Sequence, residues 1–233
     1  MFDRLLIGAA ALLGLAGAAA AADLPSQSLP PAAPAPLFAW TGFYGGLSTG
    51  GAFDNTRMFY PTSGYAVSHS ATGALIEGQV GYNYQISSFV IGAEGEGGWT
   101  GLKGHGPCGN PVYVCTTEQD WLASITGRVG YAFGRALVYG KGGVAFTSFV
   151  DNGTYAPDPA FNQRNSASRT GWTLGAGFEY AFWDHWSGFV EYDHYDFGDA
   201  KLSSYRVATG AFVNFVDVEQ SSDLVKVGVN YWF

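Results

Sequence analysis

Charge is what this chain has least of. Asp, Glu, Lys and Arg make up 13% of its 233 residues, against about 25% in ordinary soluble chains. A conventional water-facing surface over the whole molecule is therefore excluded. Basic residues are the scarcest: eleven Lys and Arg face nineteen Asp and Glu, for a net charge of -8. Nucleic-acid binding needs Lys and Arg clustered against phosphate, and these eleven are scattered, so no nucleic-acid partner is expected. Two cysteines, Cys108 and Cys115, are too few for a disulfide scaffold or a four-thiolate metal site. A hydrophobic fraction of 47% excludes a disordered chain. What is abundant is glycine, with 34 residues, and aromatic side chains, at 16%.

The first segment is an address. Leu5 to Ala22 holds no charge, follows Arg4 and ends on Ala20-Ala21-Ala22. That pattern is a secretory signal peptide over 1–22 with cleavage after Ala22, rather than a retained membrane helix. Residues 23–39 carry Pro25, Pro30, Pro31, Pro34 and Pro36. Such density favours an extended, solvated tether on the periplasmic side.

From Trp40 onward the period is two, and no helical period is sustained. In the clearest segment, Trp172, Leu174, Ala176, Phe178, Tyr180 and Phe182 share one face, opposite Thr173, Gly175, Gly177 and Glu179. Val225, Val227, Val229, Tyr231 and Phe233 oppose Lys226, Gly228 and Asn230. The same alternation sets Ala136, Val138, Val144 and Phe146 against Lys141. It predicts eight strands, near 42–52, 73–85, 88–99, 119–133, 135–148, 169–182, 187–197 and 221–233. Most are long enough to cross a bilayer at a tilt, which takes about 9–11 residues. Short turns near Ile86-Ser87, Gly134 and Asp184-His185 alternate with long loops near 53–72, 100–118, 149–168 and 198–220. Short periplasmic turns and long extracellular loops are the asymmetry of outer-membrane barrels. An even strand number returns both termini to the periplasmic side.

The two faces separate a membrane barrel from a soluble sandwich or lipocalin-like barrel. The apolar face carries no Lys or Arg, and a charge facing lipid at the midplane costs about 2–4 kcal/mol. The other face is rich in glycine with isolated charges: Glu77, Glu94, Glu96, Arg128, Lys141, Glu179, Glu191, Asp193 and Lys226. Small residues and opposed charges suit the inside of a narrow barrel, which eight strands leave only just wide enough for side chains. Aromatics at the strand ends, among them Trp99, Trp121, Trp183, Trp186 and Tyr231, fit the girdles at the two bilayer interfaces. The architecture expected is an all-β, eight-stranded antiparallel up-and-down transmembrane barrel over 40–233.

Trp40-Thr41-Gly42-Phe43-Tyr44-x-Gly46, after a Pro/Ala-rich stretch, resembles the start of a family of small alphaproteobacterial outer-membrane immunogenic or porin-family proteins with an OmpA-like barrel. The ending Lys226-Val227-Gly228-Val229-Asn230-Tyr231-Trp232-Phe233 is similar to that family as well. The resemblance implies that Val229, Tyr231 and Phe233 form a signal read by the barrel assembly machinery. It also implies haemin or host contact as a family property. No peptidoglycan-binding domain follows the barrel, so a cell-wall-anchoring role is not carried over.

Candidate chemistry is sparse. Cys108 and Cys115, separated by six residues in an exported loop, are most simply a disulfide, stabilising by about 2–3 kcal/mol through loop closure. A metal site with His105 and a free redox pair are the alternatives. Glu94 with Glu96, and Glu191 with Asp193, are paired carboxylates that could do acid–base work. Inside a filled barrel they read instead as an ion-pair network with Arg128 and Lys141, the functional alternative being a polar gate. His69, His105, His185 and His194 are scattered. His194, beside Asp193 and Asp196, is expected to face outward near a rim, but no serine nucleophile is matched to it. Ser68-His69-Ser70 reads as a polar loop tip. The loops also hold Phe59, Tyr60, Tyr65, Tyr155, Phe161, Tyr205, Phe212 and Phe215, suited either to recognition or to extending the strands.

The function expected is a structural outer-membrane barrel displaying extracellular recognition loops, without catalysis, cofactor or metal. Its partners are outer-membrane lipid, the assembly machinery and an extracellular ligand or host surface. A small porin with a charged lumen is the alternative, and a haemin-binding or host-binding protein with His69 or His105 in the loops is a further one.

Overall fold

The computed structural model describes residues 38–107 and 112–233. The expected signal peptide, nearly all of the expected tether and Cys108 lie outside the described residues. Eight strands follow in order: β1 (Gly42–Tyr60), β2 (Tyr65–Ile86), β3 (Phe89–Pro107), β4 (Tyr113–Phe133), β5 (Ala136–Tyr155), β6 (Gln163–Ala181), β7 (Trp186–Arg206) and β8 (Phe212–Trp232). They close into a barrel in which each strand pairs antiparallel with its chain neighbour. β1 seals the ring against β8, from Tyr44 opposite Trp232 to Phe59 opposite Asp217. Closure removes both sheet edges, the condition for carrying a sheet through lipid.

One end has tight turns. Ser87 and Gly134 adopt φ of 57° and 66°, the positive φ that two-residue hairpins demand. They lie where the sequence placed its short turns. The other end corrects the sequence reading. The segments 53–72, 149–168 and 198–220 are mostly strand, and the turns that remain there are short, at 61–64, 156–162 and 207–211. β3 and β4 likewise run into 100–118.

The reason lies on the outer face. Next to the tight turns it is apolar, with Phe43, Ile76, Val80, Ile91, Ile125, Val129, Leu174, Phe178, Val190 and Val227 exposed. The band is rimmed by Tyr84, Phe89, Tyr131, Phe182, Trp186 and Tyr231 at one side, and by Trp99, Trp121 and Trp172 at the other. Beyond that second rim polar side chains join the exposed ones, with Asn55, Arg57, Ser68, Ser70, Lys103, Arg164, Ser166 and Glu219 standing among Phe53, Phe59, Val114 and Phe215. Polar residues there lie on both faces, so the hydrophobic alternation fades while the hydrogen-bonded ladder continues. Ala136, assigned above to the outer face, is buried at 7% exposure.

Register slips reset the pattern, among them two on the outer halves of β4 and β7. Between Gln119 and Leu122 the β4–β5 register slips, so Asp120 and Trp121 both face out. Between Asp196 and Asp199 the β7–β8 register slips, at Gly198 with φ 60°. The β6–β7 ladder is interrupted between Arg164 and Trp172. There Arg169 donates to the carbonyls of Phe197 (3.0 Å), Gly198 (2.6 Å) and Val218 (3.3 Å). A side chain thus supplies the donors that a broken ladder leaves wanting.

The interior is filled in layers. Phe38, Trp40, Tyr44, Val90, Leu137, Tyr139 and Trp232 form an apolar layer at the tight-turn end. Leu75, Leu102, Leu122, Tyr195, Phe197 and Leu224 form a second. Met58, Phe149, Leu202, Val216 and Val218 form a third, near the far end.

Candidate functional site

All nine charged residues picked out from the sequence are buried and face the lumen. They come from seven strands: Glu77 from β2, Glu94 and Glu96 from β3, Arg128 from β4, Lys141 from β5, Glu179 from β6, Glu191 and Asp193 from β7, and Lys226 from β8. The structure brings them into one cluster between the first two apolar layers.

Two ammonium groups organise its centre. Lys141 Nζ lies 3.2 Å from Glu94, 2.9 Å from Glu96, 2.8 Å from Glu191 and 3.5 Å from Asp193. Lys226 Nζ lies 3.2 Å from Glu77, 2.8 Å from Glu96, 3.1 Å from Glu191 and 2.8 Å from Asp193. The two lysines therefore share three carboxylates. Arg128 forms an ion pair with Glu179, approaches Glu94 at 3.6 Å and stacks its guanidinium 3.7 Å from the Tyr139 ring centroid.

Hydroxyls complete the shell. Tyr44 donates to Glu94 (2.7 Å), Tyr139 to Glu191 (2.7 Å) and Tyr195 to Glu96 (2.8 Å). Ser124 also donates to Glu96 (2.9 Å), and Asn230 to Glu179 (2.9 Å). Buried charges persist only when paired and hydrogen-bonded. The tyrosines were missed from sequence because they are aromatic residues on the polar face. The signal was available: Tyr139 has the parity of Lys141, and Tyr195 that of Asp193. Glycine makes room for two of these rings. A Cβ at Gly81 would overlap the Tyr44 ring, and one at Gly177 the Tyr139 ring.

Glu94, Glu96 and Glu191 place carboxylate oxygens within 4.8 Å of one another. All three pair with Lys141 Nζ within 3.2 Å, and Glu96 and Glu191 also pair with Lys226.

The histidines do not form a site. His69 is not on a loop tip: it lies on β2, buried and facing inward, while His105 on β3 is exposed, so the two face opposite sides of the wall. His105 is 3.3 Å from the Thr116 hydroxyl. His185, in the last tight turn, contacts the Trp232 carbonyl at 3.0 Å. His194 faces outward, with Nδ1 2.8 Å from Asp223, to which Tyr192 also donates at 2.6 Å. Asp223 was missed, although it has the outward parity of Val225 and Val227. Val229, Tyr231 and Phe233 project outward at the β8 end, Phe233 at 81% exposure. Cys115 is buried on β4.

At the far mouth a cavity of about 320 Å³ opens among Tyr60, Tyr113, Asp151, Asn165, Arg206 and Asn214. Burial raises the Asp151 carboxyl to about 6, opposed by hydrogen bonds from Asn165 and Thr117.

A model of the outer-membrane protein β-barrel domain family matches residues 7–233. The chain belongs to that family. It is 30% identical to the 31 kDa outer-membrane immunogenic protein of Brucella melitensis over the full length of both chains. It is also 30% identical to the 25 kDa outer-membrane immunogenic protein of Brucella abortus, over 98% of this chain and 97% of that one. A 22 kDa outer membrane protein of Rhizobium leguminosarum is 28% identical over 85% of this chain and 80% of its own. The outer membrane protein OprG of Pseudomonas aeruginosa superposes with a TM-score of 0.57, over 85% of this chain and 99% of that one, at 13% identity. That likeness is one of fold. As a member of this family, the chain is an outer-membrane β-barrel protein.

Proposed function

We propose that this outer-membrane barrel is a non-catalytic structural and surface-recognition protein whose lumen is closed. The observation that carries the reading is the stacking inside the wall. An ionic cluster is clamped between apolar layers, so charge that could line a water path is consumed by internal pairs. The tight-turn end, with both termini, faces the periplasm, and the polar extensions of the strands stand clear of the outer leaflet. The polar outer face beyond Trp99, Trp121 and Trp172 supports that orientation, as does the short-turn rule for outer-membrane barrels. Two Brucella relatives are named as immunogenic, which fits a surface-displayed end.

Two finer assignments belong to the same reading. Cys108 and Cys115 form a disulfide that ties the β3–β4 connection, testable by the mass of the alkylated chain before and after reduction. Val229, Tyr231 and Phe233 are the assembly signal, so Phe233→Ala lowers the folded yield in cells while the purified variant still refolds in detergent.

The deciding experiment is planar-bilayer conductance of refolded protein, with folding confirmed by a heat-dependent shift in gel mobility. A silent bilayer is expected. Discrete openings altered by Glu94→Gln or Arg128→Ala would overturn the closed lumen in favour of a small porin. Orientation is read separately, from antibody access on intact cells to a tag inserted at 208–209.

A further inference from the structure

We propose that the outer mouth of the barrel is a binding cup for a small neutral saccharide. The cup is built by register. Going inward by two residues, Tyr60 is followed by Met58, Asp151 by Phe149, Ser204 by Leu202 and Asn214 by Val216. A polar ring therefore stands one step beyond the third apolar layer, and the cavity it encloses is lined mainly by polar side chains, with Tyr60, Tyr113 and Val213 among them. Its volume of about 320 Å³ sits at the lower end of small-ligand pockets, which run about 300–1,000 Å³, and suits a molecule the size of a monosaccharide.

The walls hold unmet hydrogen-bonding capacity. Asn165 Oδ1, Asn214 Oδ1 and Arg206 Nε are buried and find no hydrogen-bond partner among the described residues, although native proteins satisfy most such atoms. All three residues line this one cavity. In the proposed complex these atoms meet a molecule seated in the cup. That molecule must donate to two amide oxygens and accept from a guanidinium. A ligand carboxylate cannot donate, and it would face Asp151. A cation would meet Arg206. Hydroxyls on a sugar ring both donate and accept, and the ring's C–H faces lie against the Tyr60 and Tyr113 side chains. The wall is also set in advance. Arg206 stacks 4.8 Å from the Phe161 ring centroid. Asn162 binds the Tyr155 and Val207 amides, each at 2.8 Å, fixing the turn beside it.

The site deepens the recognition reading and rests on it for access from outside the cell, so binding and access are measured apart. The refolded barrel in detergent micelles is titrated with D-glucose, D-galactose, D-mannose and N-acetyl-D-glucosamine, and saturation transfer to sugar protons is recorded. At least one sugar receives saturation, and its Kd rises at least tenfold in Arg206→Met and in Asn214→Ala. Arg57→Gln, on the outer wall, leaves it unchanged. The gel-mobility shift identifies which variants are folded, and one folded cup variant suffices for the comparison. No transfer to any of the four sugars, an unchanged Kd in a folded cup variant, or binding of glycine in their place overturns the proposal. Sugar binding in micelles with the 208–209 tag inaccessible on cells would sink the display reading and leave the site standing.

Discussion

Trp40, which precedes the first strand, packs edge-on against Trp232, the last residue of β8, with ring centroids 5.4 Å apart. Phe38 packs against both, and Trp232 donates to Ser187 at 2.9 Å. The chain's approach to the barrel thus becomes a stopper in its tight-turn mouth, held by residues nearly 200 positions away. Trp40 is fully buried, and emptying such a site costs about 3–5 kcal/mol. Trp40→Ala is expected to unfold at lower urea than the parent in micelles, followed by the gel-mobility shift, with the eight-stranded circular dichroism signature retained.

Arg128 and Glu179 should behave as a unit. Removing one partner of a buried pair leaves an uncompensated charge and costs about 3–5 kcal/mol, whereas replacing both can be near neutral. Arg128→Met and Glu179→Gln are each expected to destabilise the barrel by that order. The double variant should recover a large part of the loss in a double-mutant cycle of urea unfolding. Additive losses would show that the two side chains act independently.

Gly81 and Tyr44 give a steric test. A methyl at position 81 displaces the ring that supports Glu94 and Arg128. Overpacking of this kind costs about 1–3 kcal/mol. Gly81→Ala is expected to lose that much, and Gly81→Ala with Tyr44→Phe to remain destabilised, because the ring carbons Cζ and Cε1 meet the methyl as well as the hydroxyl does.

Asp151 predicts a pH dependence. Its folded pKa near 6 lies above the ordinary 3.8, so the folded state holds the proton more tightly than the unfolded state. Its contribution is most favourable below about pH 4, falls as pH rises through about 6, and is constant above. The shift corresponds to on the order of 3 kcal/mol. Asp151→Asn should therefore be more stable than the parent at pH 8, with the difference closing by pH 4, as read from urea midpoints at the two pH values.

Strand number, the two faces and the tight turns were legible in the sequence, because a lipid-facing band forces strict apolar alternation from Thr170 to Phe182 and from Val225 to Phe233. The outer halves of the strands were not. Asn55, Arg57 and Ser68 face water while Asp54 and Thr56 face the lumen, and with both faces polar the period carries no hydrophobic signal. Nor could the sequence foresee the slips at Asp120-Trp121 and Gly198, since a bulge is defined by the strand opposite it.

The sequence by itself determined that this is a barrel, which residues turn inward and that three cations would meet six carboxylates inside. Only the tertiary structure decided their partnership. Lys141 and Lys226 lie on strands that are not neighbours, yet both reach Glu96 on β3, because eight strands close at a radius that lets side chains meet across the axis. The cup at the far mouth is likewise a product of closure, gathering Tyr60, Asp151 and Arg206 from strands whose order in the chain gives no sign that their ends converge.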